Sequence, residues 1–412
     1  MRILYLSQYF PPEVGATQIR AYEMARGLIA AGHQVTMIAE FPNHPTGIMP
    51  QEYRRKLFER SELDGIHVIR VWVRASPLRS FQNRLVFYLS YMFMAILAGL
   101  FLARGKFDAI YATSPPLFVA GAGLVISILR RTPLIFEVRD LWPESAIVLG
   151  ELNNERFIRW ATWFEERCYT HARLIVVTAN EIRQCLLERG FPDKKIIVIR
   201  NGANTLLFRR DAKTRQKIRN ELAIQDRFVI IYAGLHGLAY DLEGLIDSAA
   251  EFEGEGKLHF LLIGDGPTKL STETKARSLG LTNVTFLPSQ PRERIPDYYN
   301  AADLAIIPLR YPQIAGHFPV KIYDSMACEV PVVVAAFGEP RQVIEENSAG
   351  LAVDPGDRAA MNIVINRLYS DPVLREKFGC NGRLAVEAKY SRQAQARQLA
   401  ETMVSLLIQK EG

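Results

Sequence analysis

Apolar residues occur in this chain in two alternating arrangements. Short solid runs bounded by Gly, Pro, Asn or Asp fall at residues 3–7, 34–39, 66–73, 108–112, 134–138, 174–178 and 195–199. Such runs are the pattern of strands buried on both faces of a parallel sheet. Segments with helical spacing lie between them, at 17–31, 117–129, 157–172 and 179–188. After a polar, basic stretch at 209–220 the alternation restarts, with strands at 228–233, 258–263, 284–287, 303–308 and 332–334. Helices fill the gaps, and a last one is predicted over 391–409, long enough to cross back to the first half. Strand–helix–strand order implies right-handed crossovers and doubly wound sheets. The pattern predicts an α/β protein of two such domains facing a cleft, with ligand loops at the C-terminal ends of the strands. The expected boundaries are 1–205, 206–388 and a crossing helix at 389–412. Residues 41–64 read as irregular.

One stretch breaks the alternation. From Leu85 to Ala103 no residue is charged, and Arg84 and Arg104 flank it. That length suffices to span a bilayer. A spanning helix would place the first two strands and the rest of their sheet on opposite sides, so that reading is rejected. A buried core helix and an interfacial helix remain. The basic flanks, Arg54, Arg55, Lys56, Arg60, Arg70, Arg74, Arg79, Arg84, Arg104 and Lys106, favour a helix lying on an anionic membrane surface. Tyr88 and Tyr91 are expected at headgroup level.

Composition narrows the classes. With 412 residues, 49% hydrophobic and 23% charged, the chain is globular with sizeable cores. A net charge of +6 without a recognition motif speaks against nucleic acid as a partner. Cys168, Cys185, Cys328 and Cys380 lack metal-ligand spacing, which predicts reduced thiols in the cytoplasm. The apolar run at the N-terminus is too short for a signal peptide and reads as a first strand.

Candidate chemistry gathers at strand ends. Gly316-His317-Phe318-Pro319-Val320-Lys321-Ile322-Tyr323-Asp324 reads as a loop entering a helix, with Pro319 in its first turn. Lys321 and Asp324 share a face of that helix, near N–H donors suited to a phosphate. Lys321 would add charge, and Asp324 would accept from sugar hydroxyls. Gly316 would let the backbone approach a ligand. Gly15 stands where the first strand hands over to its helix, and a dinucleotide site would require three glycines there. Arg139-Asp140-Leu141-Trp142-Pro143-Glu144 follows a buried strand, which makes Asp140 an acid/base or hydroxyl-binding candidate.

The series Gly264-Asp265-Gly266-Pro267, Leu279-Gly280-Leu281, Asn283-Val284-Thr285-Phe286-Leu287 and Tyr299-Asn300-Ala301-Ala302-Asp303 resembles the retaining nucleotide-sugar glycosyltransferases of family four, which have the GT-B fold. Asn201-Gly202 and Gly32-His33-Gln34-Val35 fit as well. Residues 139–145 and 319–323 are similar to the branch that builds bacterial capsule, O-antigen or colanic-acid-like polysaccharides. The resemblance implies a UDP- or other nucleotide-sugar donor in the second domain and a polyprenyl-diphosphate-linked saccharide acceptor in the first. It implies a hexosyl- or aminosugar-transferase acting at the inner membrane face, needing neither metal nor cofactor.

Carried over position by position, the resemblance implies donor contacts from Gly15, Gly234, Gly316, His317, Phe318, Lys321 and Asp324. It implies acceptor contacts from Arg139, Asp140 and Glu144, and chemistry at Asp140, Lys321 and His236. The pattern departs from the family in four places. The family's paired Glu positions are Gly316 and Asp324; the loop after the first strand of the second domain lacks its Arg and Lys; and Arg139 replaces a His. Lys321, His236 and the helix end are then expected to neutralise the diphosphate. Two other readings are a nucleotide-sugar epimerase of the same architecture and an inactive partner subunit of a polysaccharide assembly complex.

Overall fold

The apolar runs pair edge to edge into two sheets, each the centre of its own unit. The computed structural model describes residues 1–13, 15–44, 46–78, 80–144, 147, 152–310 and 318–408. The first unit comprises Met1–Arg200 with Gln395–Gly412, and the second comprises Asn201–Ala394.

In the first unit β1 (Arg2–Leu6), β2 (Gln34–Glu40), β3 (Phe58–Leu63), β4 (Ile66–Val71), β5 (Ala109–Thr113), β6 (Leu134–Val138), β7 (Leu174–Val177) and β8 (Ile196–Val198) form one sheet. Its order is β3-β4-β2-β1-β5-β6-β7-β8. Only β3 runs antiparallel, against β4. β3 falls inside the stretch expected to be irregular. Its sequence, Phe-Glu-Arg-Ser-Glu-Leu, is mostly exposed and shows no apolar alternation. Pairing at the sheet edge, rather than burial, makes it a strand. From β1 the chain winds outward through β2 and β4, then returns to the other side of β1 as β5. The winding direction therefore changes between β1 and β5, the place where such sheets hold ligands.

The uncharged stretch forms a helix over Phe81–Leu97 that continues as a wider turn through Ala98–Leu102. Over its most apolar window only 22% is buried, although its length and composition would suffice to cross a membrane. Val86, Leu89, Phe93 and Phe101 are exposed on it. Tyr91 is not at a surface, contrary to the sequence expectation. It is fully buried and donates to the Ile38 carbonyl at 2.8 Å. Arg70 is likewise removed from the basic surface, since it is buried and donates to the Glu40 carbonyl at 3.1 Å. The helix Arg392–Ile408 buries Ala396, Leu399, Ala400 and Met403 with Ile3, Tyr5, Ala25 and Leu28 in the core of this unit.

In the second unit β9 (Phe228–Ala233), β10 (Leu258–Ile263), β11 (Val284–Leu287), β12 (Leu304–Pro308), β13 (Val332–Ala335) and β14 (Gly350–Val353) pair in the order β11-β10-β9-β12-β13-β14. All of these pairs are parallel. The sequence pattern had not predicted β14 or the helix Glu339–Glu346 before it. Both are short, and tertiary pairing more than local pattern defines them. Here the winding direction changes between β9 and β12. The loops leaving those two strands are joined by a bridge between Tyr240 and Leu309.

Candidate active site

The change of winding direction in the second unit is where the candidate side chains collect. The loop after β9 begins at Gly234, whose φ of 139° lies in a region that favours glycine. A Cβ there would meet Lys321 Nζ at 2.9 Å. Across from it, a Cβ on Gly264 would lie 1.9 Å from the Gly234 carbonyl oxygen. The two loops thus run backbone against backbone, which only glycine permits.

Lys321 opens the helix Lys321–Ala327, with Pro319 just outside it. At seven residues this helix contributes little dipole, so the expected helix-end seat for phosphate reduces to the Lys321 side chain. Its Nζ is buried with no hydrogen-bond partner among the described residues. It sits 3.7 Å from the ring centre of Tyr232 and 4.0 Å from that of Tyr240. Aromatic faces attract a cation but replace none of its three donor contacts. Burial therefore pushes the Lys321 ammonium well below its usual pKa.

His236 lies in the same loop, fully buried, its ring 5.7 Å from that of Tyr232. Its backbone is pinned, with N–H donating to the Asp265 carbonyl at 3.0 Å and its own carbonyl accepting from Thr268 N–H at 3.1 Å. Neither ring nitrogen meets a partner in good geometry among the described residues. Burial, then the charges of Lys269 and Lys321, lower its pKa to about 4. The imidazole is therefore neutral at working pH, a hydrogen-bonding group rather than the cation expected from the sequence.

Asp324 shares the short helix with Lys321 but meets a different group. It is buried, with Oδ1 3.8 Å from Nη2 of Arg292. Arg292 in turn stacks over Phe208 at 5.0 Å. Phe318 stacks on Tyr323 with ring centres 4.7 Å apart. Gly316 and His317, two expected donor contacts, lie outside the described residues. Tyr232, Tyr240 and Arg292 were not among the sequence candidates. Tyr232 reads as one more apolar position of a strand, and only the fold brings it under Lys321.

In the first unit, β6 carries Glu137 into the core and ends at Arg139 and Asp140. Glu137 is fully buried and accepts from Arg20 Nε at 3.0 Å and Nη2 at 2.7 Å. Thr113 Oγ1 donates to its other oxygen at 2.5 Å. Burial opposes its charge, but Arg20 and Arg139 outweigh burial and hold the carboxyl below its usual range. Arg139 donates through Nη2 to Thr17 Oγ1 at 3.3 Å, while Nε and Nη1 are buried without partners among the described residues. Burial lowers its pKa, and Glu137 opposes that. Asp140, beside it, is half-buried. The structure thus brings Arg139 and Asp140 together with Glu137 and Arg20, which the sequence had not singled out.

Glu144 is engaged elsewhere. It pairs with Arg189 at 3.4 Å, and Arg189 is held more closely by Glu165 at 3.0 Å. Gly15 precedes the helix Ala16–Ala30 with φ 177°, an extended conformation open to any residue. A Cβ there would approach only the mobile end of Gln18. Among the described residues, Glu329, Glu376 and Cys380 lie close enough to share an ion. Arg210 already bonds both carboxylates, at 3.0 and 2.6 Å.

Two family models match, one in each half. Residues 15–202 match the glycosyl transferase 4-like domain and residues 214–385 the glycosyl transferases group 1. The chain is 23% identical over 341 residues to the putative colanic acid biosynthesis glycosyl transferase WcaI of Escherichia coli, covering 82% of this chain and 83% of that protein. It is 26% identical over 244 residues to the alpha-D-kanosaminyltransferase of Streptomyces kanamyceticus, covering 58% of this chain and 62% of that protein. The structure of Anabaena Alr3699/HepE in complex with UDP and glucose superposes with a TM-score of 0.73 at 21% identity, over 98% of this chain and 100% of that one.

Proposed function

We propose that this chain, a glycosyltransferase of the GT-B type, moves a sugar with retention of configuration from a nucleotide-sugar, a UDP-sugar first of all, to a polyprenyl-diphosphate-linked saccharide in bacterial surface polysaccharide synthesis. The observation that carries the donor half of this reading is Lys321. Its buried Nζ has no hydrogen-bond partner among the described residues and lies at the change of winding direction of the second sheet. Breaking a sugar–diphosphate bond builds positive charge on the sugar and negative charge on the departing phosphate. A preorganised cation beside that phosphate stabilises the transition state more than the ground state. Lys321 is positioned for this role, and neutral His236 can donate one hydrogen bond to the same oxygens. Asp324, steadied by Arg292, is the group for the ribose hydroxyls.

In the first unit Asp140 is the group to orient, or take a proton from, the acceptor hydroxyl. Arg139 offers two N–H groups that have no partner among the described residues to an anionic part of that acceptor. Such donors are strong where the partner is charged. The colanic acid relative and the exposed apolar helix with basic flanks support a lipid-linked acceptor and a peripheral position on the inner face of the cell membrane.

A panel of nucleotide-sugars tests the donor half by thermal unfolding. A ligand at 100 times its dissociation constant stabilises the folded state by about 2.7 kcal/mol. We expect UDP and one or a few UDP-sugars to raise the midpoint in the intact protein, and Lys321→Met to cut the rise at the same ligand concentration by about half or more. No stabilisation by any nucleotide-sugar would sink the reading.

A further inference from the structure

The first sheet has a second feature at the edge that carries Asp140. Two adjoining hollows open there. One, the smaller, is walled by Phe81, Tyr88, Phe118, Trp142 and Phe157. The other is lined by Asn43, His44, Thr46, Ser76 and Asn83 together with Tyr9, Leu78 and Phe87. Arg84 and Tyr88 line both. One wall is the helix Phe81–Leu97, which supplies Phe81, Asn83, Arg84 and Tyr88, and part of the rest comes from segments that follow the C-terminal ends of parallel strands. Tyr9, on the second hollow, follows β1; Asn43 and His44 follow β2; Phe118 follows β5; and Trp142 follows β6, two residues beyond Asp140. The hollows therefore lie at the ligand edge of the sheet, around its change of winding direction.

The first is walled mainly by aromatic rings, the second adds polar side chains to an apolar lining of its own, and one cation, Arg84, lines both. The aromatic walls are continuous: Tyr88 stacks on Phe118 at 6.1 Å, Phe118 meets Trp142 at 6.4 Å, and Trp142 meets Phe157 at 6.1 Å. Phe157 continues to Phe81 at 5.2 Å and to Trp160 at 5.5 Å. Phe81 and Trp160 are themselves part-exposed, so the apolar wall reaches the surface. The same helix leaves Val86, Leu89 and Phe93 exposed on another face.

We infer that the two hollows form one binding site for a prenyl-diphosphate lipid: its diphosphate at Arg84, its first isoprene units among the aromatic rings, and its first sugar among the polar residues. The polarity sequence of such a molecule, apolar chain, dianionic link, hydroxylated head, matches the order in which the walls present apolar, cationic and polar groups. A guanidinium meets a diphosphate with paired, charge-assisted hydrogen bonds. A phospholipid carries one phosphate and two chains and matches this order less well. The inference deepens the acceptor half of the reading above and rests on it; it does not rest on the donor half.

Farnesyl diphosphate, added to the intact protein below its micelle-forming concentration, tests the inference through the fluorescence of Trp142. Saturable quenching is expected, with affinity at least about tenfold weaker in Arg84→Gln. Phe81→Ser, at a position already 40% exposed, is expected to weaken farnesyl diphosphate while leaving binding of inorganic diphosphate unchanged. UDP affinity is expected to be the same in both variants, and UDP is expected not to displace the lipid. Equal affinity of wild type and Arg84→Gln, displacement by UDP, or equal competition by short-chain phosphatidylglycerol would each overturn the site. Loss of UDP binding in the wild type would instead count against the donor reading and leave this one standing.

Discussion

The Nζ of Lys321 lies 3.7 Å from the centre of the Tyr232 ring, buried, with the Tyr240 ring centre 4.0 Å away. Among the described residues this buried amine meets ring faces and no hydrogen-bond acceptor, so it has given up hydration without replacing its hydrogen bonds. That arrangement is poor for stability and suited to a group that waits for an anion. Replacing Lys321 by Met keeps the length and removes the amine. UDP affinity should fall about 10- to 100-fold, the worth of a hydrogen bond to a charged group. Unfolding stability should hold or rise. Calorimetric titration and a denaturation curve on the same variant check both.

The same burial sets a pH dependence. The free protein holds the Lys321 ammonium well below its usual pKa, and a bound diphosphate raises it. Donor binding then takes up a proton at any pH between the two values. Below the lower value the amine is already charged, and affinity is highest and flat. As pH rises above it, affinity falls by up to about tenfold per unit until the bound-state value is passed. His236, at about 4 in the free protein, is neutral there above pH 6, so the Lys321→Met profile separates any slope it adds in the complex from that of the lysine. Titrations of UDP from pH 6 to 9 should show the decline in the wild type and a flatter profile in Lys321→Met.

Gly234→Ala should act through Lys321. The new methyl would meet Nζ at 2.9 Å, at a φ of 139° that alanine rarely adopts. A loss of about 1–3 kcal/mol in stability is expected from the backbone strain, together with weaker UDP binding. A normal melting midpoint with normal UDP affinity would show that the lysine is less confined than its contacts imply.

Buried Asp324 and half-buried Arg292 pair at 3.8 Å. Removing the carboxylate leaves a half-buried guanidinium short of a partner, which costs about 1–3 kcal/mol. Asp324→Ala should therefore lower the urea midpoint markedly, and Asp324→Asn less. If Asp324 also holds the ribose, folded Asp324→Asn should bind UDP more weakly than wild type, and the two should bind inorganic diphosphate alike.

Leu89 and Phe93 are 42% and 61% exposed on the apolar helix. Changing both to Ser should leave the melting midpoint within about 1 kcal/mol of equivalent stability. Co-sedimentation with anionic vesicles should drop by tenfold or more, since burying such side chains is worth roughly 1.5–3 kcal/mol each. Tyr91→Ser, by contrast, should unfold the first unit, because Tyr91 is fully buried and bonded to Ile38.

The amino-acid sequence by itself determined the two alternating α/β units. Solid apolar runs such as Phe228–Ala233 have no stable place except between two neighbouring strands, and period and punctuation then fix where helices return. It also pointed to Lys321, because a cation after a glycine-containing loop at a strand end is a local signal. It did not reveal β3, whose exposed Phe58–Leu63 becomes a strand only by pairing with β4. Nor did it show that Tyr91 and Arg70 face inward, since a uniformly apolar or basic stretch carries no mark of which side meets the core.

Tertiary structure alone decided the protonation of the site. His236 reads as a cation in the sequence, yet burial and two neighbouring lysines make it neutral. Tyr232, 89 residues before Lys321, comes beneath it because β9 and β12 lie side by side where the sheet changes direction. Desolvation and proximity are properties of packed neighbours distant in sequence, and no local pattern encodes them.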